Sequence, residues 1–357
     1  MLVGTSGYLL SDRNDIVRSD IIDRETDSSF LKSDETKILH LASLAPSGHN
    51  TQPWIIKYLG PHHWIIASDS SRWLPAVDPT QRETILSLGA FVQNLEYAAL
   101  NEGYYTNFKM LATSCQDEDI AEVKLVKESV PSFDISKIRL RRTVRSGYLN
   151  DLLRTEDLHH ITGIEKDYWH FIPRGTSEYR WINEQTIEAN RIQVNRDAAQ
   201  AELSEWIRFS RADVKQHLDG LTTAGMEIRG IPAWIVRNFY NRDKVMSSSF
   251  RNQSLDKVKE QVAQSAGWLL LTSKSNSVVD LMEAGKRFER MLLRIRERKV
   301  AVHPMTQILE EPETKLAFYS KLRLTGEIQF ILRLGYLDAY PDPVSVRRPV
   351  DSFVNII

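Results

Sequence analysis

The chain has 357 residues, enough to bury one large hydrophobic core or two of ordinary size. Its 46 Lys and Arg against 47 Asp and Glu leave a formal net charge of -1, so no global field draws it to nucleic acid or to an anionic membrane. The single Cys115 excludes an intrachain disulfide and any multi-cysteine metal or iron-sulfur site, which fits a reducing compartment and predicts a cytoplasmic protein.

Met1 to Leu10 lacks a basic n-region and is interrupted by glycines, so it makes a poor signal peptide, and no apolar run approaches the ~20 residues that span a bilayer. Ser11 to Phe30 is charged and weakly periodic and reads as an arm. From Ser33, read as an N-cap, Asp34 and Glu35 suit the positive end of a helix, and Ile38, Leu41, Ala42 and Ala45 form one apolar stripe. Pro46 stops that helix, and the loop that follows, Pro46-Ser47-Gly48-His49-Asn50-Thr51-Gln52-Pro53-Trp54, offers a tight turn and amide donors and acceptors before extended backbone begins. Ile55 to Tyr58 and Trp64 to Ala67, parted by Gly60-Pro61, predict a hairpin. A long helix is predicted from Gln81 to Gly103 by Ile85, Leu88, Gly89, Val92, Leu95 and Ala99. Gly89 within it costs about 1 kcal/mol against alanine, which close approach of another helix would offset. Strands are predicted at Lys109 to Ala112 and Glu122 to Val126.

The second part of the chain echoes the first. Trp169 to Ile172 echoes Trp54 to Lys57, Trp268 to Ser273 echoes Trp64 to Ser68, the helix Gly285 to Arg298 echoes Gly89 to Glu102, and Glu327 to Ile331 echoes Glu122 to Val126. Their common order predicts an internal duplication, with a first half at 1–135 and a second at 136–357. About 191–255 has no counterpart in the first half and reads as an insertion, with helix from Trp206 to Leu218, a flexible glycine-bearing loop from Asp219 to Met226, and another apolar piece from Ile231.

The Pro46 to Trp54 loop resembles the signature P-S-[SG]-x-N-x-Q-P-W of the flavin-dependent nitroreductase superfamily, and His49 and Thr51 within it resemble the tandem, FMN-binding Acg-like subgroup. The resemblance implies an α+β nitroreductase-like fold duplicated as a pseudo-dimer, one FMN held between the halves, and a lid over the flavin formed by the insertion. It implies FMN contacts from Pro46, Ser47, Gly48, Asn50 and Gln52. Arg141, Arg142, Thr143 and Arg145 match the family's R-x-[ST]-x-R phosphate grip, although an Arg-rich run reads equally well as a solvated basic segment. Ser345 to Pro349 matches the element that closes on the same phosphate, with Arg347 or Arg348 making the contact. Pro304, Met305 and Thr306, after His303, occupy the position whose backbone faces the flavin N5, while His303 itself reads equally as a helix cap or surface residue.

No metal site, P-loop or hydrolase pair is legible: Ala284-Gly285-Lys286 lacks the upstream glycine, and His62-His63 and His159-His160 lack partners at ligand spacing. The implied activity passes reducing equivalents from NAD(P)H through FMN to a nitro- or quinone-type small-molecule acceptor, with no catalytic side chain assigned. The implied particle is a monomer with an internal pseudo-dimer, or a homodimer, without nucleic-acid or membrane partners. Non-enzymatic FMN storage under a closed lid is the alternative, and a flavin-free structural protein a third.

Overall fold

The computed structural model describes residues 30–129 and 131–357, so most of the expected arm lies outside the described residues. Helix α1 (Ser33–Ser43) is capped at Lys32, one residue before the expected Ser33, because the Lys32 backbone N–H is taken by the Glu35 carboxylate at 2.8 Å. It buries Ile38, Leu39, Leu41 and Ala42 and ends before Pro46. The hairpin follows as β1 (Trp54–Gly60) and β2 (His63–Ser68), with Trp64 and Ile66 turned inward at period two. Helix α2 (Arg82–Asn101) then leads to β3 (Tyr104–Met110) and β4 (Asp119–Lys127). Strand β3 begins five residues before the predicted Lys109, since polar Thr106 and Asn107 disguise its alternation.

After the short α3 (Ser136–Leu140) and α4 (Thr155–Thr162), strand β5 (Trp169–Pro173) opens the second sheet. Six helices stand between it and β6 (Gly267–Ser273): α5 (Ser177–Asn195), α6 (Asp197–Trp206), α7 (Arg211–His217), α8 (Gly230–Phe239), α9 (Arg242–Met246) and α10 (Ser248–Ala263). The helical stretch between these strands, 177–263, therefore extends beyond 191–255 at both ends. The helix expected from Trp206 to Leu218 is also interrupted, because the Ser210 hydroxyl accepts the Asp213 N–H at 3.1 Å and starts α7 anew. Helix α11 (Val278–Ile295), β7 (Val300–Pro304), α12 (Gln307–Glu310), α13 (Pro312–Leu322), β8 (Glu327–Tyr336) and β9 (Val354–Ile356) complete the chain.

The architecture is α+β, with a five-stranded sheet ordered β3-β4-β2-β1-β9 and a four-stranded sheet ordered β5-β6-β8-β7. Read from the opposite edge, the second sheet runs β7-β8-β6-β5, with β5, β6 and β8 in the places of β1, β2 and β4 that they echo and β7 in the place of β3, and all these neighbours are antiparallel. The exception is β9, which returns from the end of the chain to lie parallel to β1.

One hydrophobic core joins Leu88, Phe91 and Leu95 of α2 and Leu281 and Leu292 of α11 to Ile56 and Ile66 of one sheet and Leu269, Leu271 and Leu332 of the other. Trp268 and Leu270 alternate to the far face of β6 and pack in a second cluster with Ile182, Val262, Ile308 and Phe318, so β6 is buried at every position. The two long helices meet at glycines. A Cβ on Gly89 would lie 2.3 Å from the Met282 carbonyl oxygen, and one on Gly285 would lie 2.1 Å from that of Leu86. The contact is reciprocal, as at an interface with twofold symmetry. Among the described residues no helix is long and apolar enough to cross a membrane.

Candidate functional site

Helix α1 ends with carbonyls that have no partner within the helix. Arg347, from the end of the chain, donates to those of Ser43 (2.7 Å), Leu44 (3.1 Å) and Ala45 (3.0 Å), and Arg141 adds a bond to Leu44 at 3.2 Å. The following loop is closed by the Gln52 N–H on the Ser47 hydroxyl at 2.9 Å. His49, Asn50 and Gln52 have φ of 48°, 55° and 55°, a left-handed conformation that costs an L-residue about 1–2 kcal/mol. Tertiary bonds hold it. The Asn50 amide donates to the carbonyls of Gly220 (3.1 Å) and Val346 (3.3 Å), Gln52 donates to Leu218 (3.0 Å), and Arg348 donates to the carbonyls of Gln52 (2.7 Å) and Trp54 (2.9 Å). Strain held in place by this many contacts is characteristic of functional loops.

Beside the loop lies a cavity of about 290 Å³. Pro46, Ser47 and Gly48 form one wall, and Glu83, Leu86, Ser87 and Ala90, on one face of α2, form the next. Thr143 and Arg145, the end of β7 with His303, Pro304 and Thr306, and the stacked rings of Phe288 and Phe330, 4.1 Å between centroids, enclose the remainder with Gln193, Gln307, Glu310 and Leu221. Of the expected contacts, Pro46, Ser47, Gly48, Thr143, Arg145, Pro304 and Thr306 are brought together here.

The others stand outside the cavity wall. Asn50, Gln52, Arg347 and Arg348 brace the loop, and Arg141 joins the cap on α1 while lying 3.6 Å from the buried Glu289. Arg142 donates to the Asp342 carbonyl and faces Glu227 at 3.6 Å. Met305 is buried in the second core cluster. The stretch Asp219 to Met226 is not the flexible loop expected from its glycines. Asp219 is buried between Arg72 (2.7 Å) and Arg208 (2.6 Å), Gly220 exchanges bonds with Asn50, and the Gly225 carbonyl accepts from Arg145 at 2.8 Å.

Two electrostatic neighbourhoods share the cavity. Burial lowers the Arg145 guanidinium from its ordinary value while Glu227 opposes, and it remains cationic. Burial and then Arg145 pull His49 down to about 4, and the same causes hold His303 well below its ordinary value, so both rings are neutral at neutral pH. The buried His303 Nδ1 and Gln307 Oε1 have no hydrogen-bond partner among the described residues. On the other side, burial and then Glu83 raise Glu310 well above the carboxylate range and raise Asp78, behind Glu83, to about 7.

Asp78 gives a pH signature. Its carboxyl binds a proton more tightly folded than at the ordinary value of 3.8, so its contribution to stability is full below about 4 and lost as pH rises through about 7. Urea midpoints should therefore be lower at about pH 8 than at about pH 5, and Asp78→Asn should reduce that difference by about 2 kcal/mol. The amide oxygen can still accept from the Thr84 N–H, which Asp78 accepts at 3.0 Å. An unchanged pH difference in Asp78→Asn would contradict the assignment.

Glu83, Ser87, Gln193, Gln307 and Glu310 were not expected at the site. The spacing of Glu83, Leu86, Ser87 and Ala90 was a usable signal, since a polar-interrupted stripe at helical spacing marks a face that lines something other than core. Glu310 and Gln193 gave no local signal.

No protein-family model matches the chain. It is 24% identical over 335 residues to the putative NAD(P)H nitroreductase acg of Mycobacterium tuberculosis, an alignment covering 89% of this chain and 94% of that protein. The chain is thus similar along most of its length to a putative nitroreductase of the Acg type. It is also 23% identical over 339 residues to an uncharacterized protein of Mycobacterium tuberculosis, covering 88% and 91%, and 21% identical over 316 residues to the probable NAD(P)H nitroreductase PigM of a Serratia species, covering 83% and 86%. Among solved structures, a nitroreductase-like family protein from Bacillus cereus aligns at 11% identity with a TM-score of 0.35, covering 64% of this chain and 98% of that one. The FMN-dependent nitroreductase NfnB from Mycobacterium smegmatis, in complex with NADPH, aligns at 14% identity with a TM-score of 0.35, covering 57% and 86%.

Proposed function

We propose that the chain is an FMN-binding oxidoreductase of the nitroreductase type, taking reducing equivalents from NAD(P)H and delivering them to a nitro- or quinone-type acceptor. One observation carries this reading: a single cavity is walled by three segments far apart in sequence, Pro46 to Gly48, Thr143 with Arg145, and Pro304 with Thr306, each expected to contact flavin. The chemistry of the walls suits FMN. Arg145 and Thr143 offer a cation and a hydroxyl to the phosphate, the Phe288 and Phe330 rings with Leu86 offer apolar surface to the ring system, and the unpartnered His303 Nδ1 and Gln307 Oε1 offer polar contacts to its edge. Bound there, FMN supplies the hydride and electron chemistry. The chain's own residues hold and orient it, and Leu221 from the insertion limits access of water. Arg141, Arg347 and Arg348 act from outside the wall by fixing α1 and the loop, and Arg142 by joining the Asp342 carbonyl to Glu227.

We infer further that 1–135 and 136–357 are two copies of one unit packed as a pseudo-dimer. The matching strand order and the reciprocal Gly89 and Gly285 contacts support it, and β9 pairing with β1 resembles an arm exchanged between subunits. Only the first copy supplies the loop and only the second the arginines, so FMN titration should saturate at one flavin per chain. Saturation at two would overturn this arrangement.

The purified chain, incubated with FMN and desalted, should be yellow, bleach anaerobically with NADH or NADPH, and oxidise the nucleotide steadily when a quinone is added. A colourless protein would defeat the proposal. The pinned 219–226 stretch favours FMN storage as a second reading, because Asn50, Arg72 and Arg145 each bond to it. A yellow protein that does not turn over would select storage.

A further inference from the structure

The polar edge of a flavin ring carries carbonyl oxygens and ring nitrogens that accept hydrogen bonds and a single N–H that donates, so the wall it meets must supply donors. Gln307 and Glu310 stand three residues apart on one face of α12, and both line the cavity beside Pro304 and Thr306. Gln307 suits such an edge because its amide both donates and accepts, and its buried Oε1 has no partner among the described residues. Glu310 suits it only while it carries a proton, since an ionised carboxylate donates nothing and repels carbonyl oxygens.

The surroundings of Glu310 keep that proton in place. Its Oε2 accepts from the amide of Gln193, on α5, at 2.5 Å, and it forms no ion pair among the described residues. The cation belongs to Glu83, on the same wall, which accepts from Arg82 at 2.8 Å. Of two carboxyls in one wall, the one paired with a guanidinium takes the negative charge, and that charge disfavours a second beside it. Arg196 is engaged by the neighbouring Glu311 at 2.8 Å. Burial and then Glu83 raise Glu310 well above the carboxylate range, Asp78 adds to the rise, and Gln193 and Arg82 oppose it. His49 and His303 are already neutral at neutral pH and Arg145 stays cationic, so neither histidine nor Arg145 changes its donors as the solution turns alkaline.

We propose that the Glu310 carboxyl is a ligand of the flavin ring, donating a hydrogen bond to an acceptor on its polar edge beside Gln307. Resting on the reading of this cavity as an FMN site, the contact makes flavin binding sensitive to alkali. The donor is present below the raised value and lost as pH rises through it, so affinity weakens in that direction.

The test is titration of the whole chain with FMN and, in parallel, with riboflavin, followed by quenching of flavin fluorescence. Wild-type affinity should fall about tenfold from about pH 7 to about pH 9 for both ligands, because they share the ring and only one has the phosphate. Glu310→Gln keeps a donor that cannot ionise, so at both pH values it should bind about as tightly as the wild type does at neutral pH. Asp78→Asn should still show the fall, which separates Glu310 from the other carboxyl that burial raises. Without flavin, the infrared carbonyl band of protonated carboxyls at neutral pH should be weaker in Glu310→Gln than in the wild type. Wild-type affinity that stays level or rises with pH would overturn the proposal. So would a fall that persists in Glu310→Gln, or an infrared band that this variant leaves unchanged. Failure of both flavins to bind at either pH would defeat the FMN reading and the contact with it, whereas binding that ignores pH would defeat the contact alone.

Discussion

Gly285→Ala is expected to destabilise the chain by about 3 kcal/mol or more, although alanine is the better helix former by about 1 kcal/mol. The sign is decided at the crossing of α2 and α11. The new methyl would sit 2.1 Å from the Leu86 carbonyl oxygen and 3.0 Å from the Gly89 Cα, and both are backbone atoms that no rotamer change can move aside. The helices must separate, which loosens the core shared by Leu88, Phe91, Leu281 and Leu292. Gly89→Ala should behave alike, since its methyl meets the Met282 carbonyl at 2.3 Å. The double variant should cost less than the sum, because one separation relieves both clashes. Separation also moves Leu86 and Ala90 away from Phe288 in the cavity, so flavin affinity should fall with stability. Urea unfolding of the three variants checks this, and a stabilised Gly285→Ala would show that the crossing is loose.

That crossing was partly legible in the sequence, as was most of the regular structure. Gly89 interrupts a well-formed helical stripe at a cost that only close approach offsets, the hairpin carries period-two burial and a turn at glycine, and the echoed β6 is a continuous run of aromatic and branched apolar residues. The first five residues of β3 escaped because its polar positions conceal the alternation, and α5, an ordinary amphipathic helix, gave no sign that the helices between β5 and β6 begin well before 191. The candidate site was legible as segments but not as contacts. A motif states that Arg141, Arg347 and Arg348 are present near the loop. It cannot state that their guanidinium groups end on main-chain carbonyls, since that depends on where the last residues of the chain return. Left-handed backbone at Gln52 was equally hidden, because glutamine, unlike His49 and Asn50, is not among the residue types enriched in that conformation.

Arg347→Ala should therefore fail first as a fold variant and only secondarily as a flavin variant. The side chain is buried and bonds the carbonyls of Ser43, Leu44 and Ala45 as well as the Asn50 side-chain oxygen at 2.9 Å. Removing it strips the cap from α1 and releases one of the contacts that hold the left-handed residues after Pro46. With charge-assisted bonds at roughly 1.5–3 kcal/mol each and some re-solvation of the freed carbonyls, a net loss of about 3–5 kcal/mol is expected. Arg347→Lys should recover less than half of it, because an ammonium is a single point charge and cannot span three carbonyls and an amide in the plane of a guanidinium fork. The deciding measurement is urea unfolding without FMN, set beside an FMN titration in the folded range. If Arg347 served chiefly as a phosphate ligand, as the motif alone implies, Arg347→Ala would keep the wild-type midpoint and lose only flavin. If it serves the loop, the midpoint falls before any flavin is added, and Arg145→Ala, at the cavity wall, gives the larger loss of flavin affinity for the smaller loss of stability.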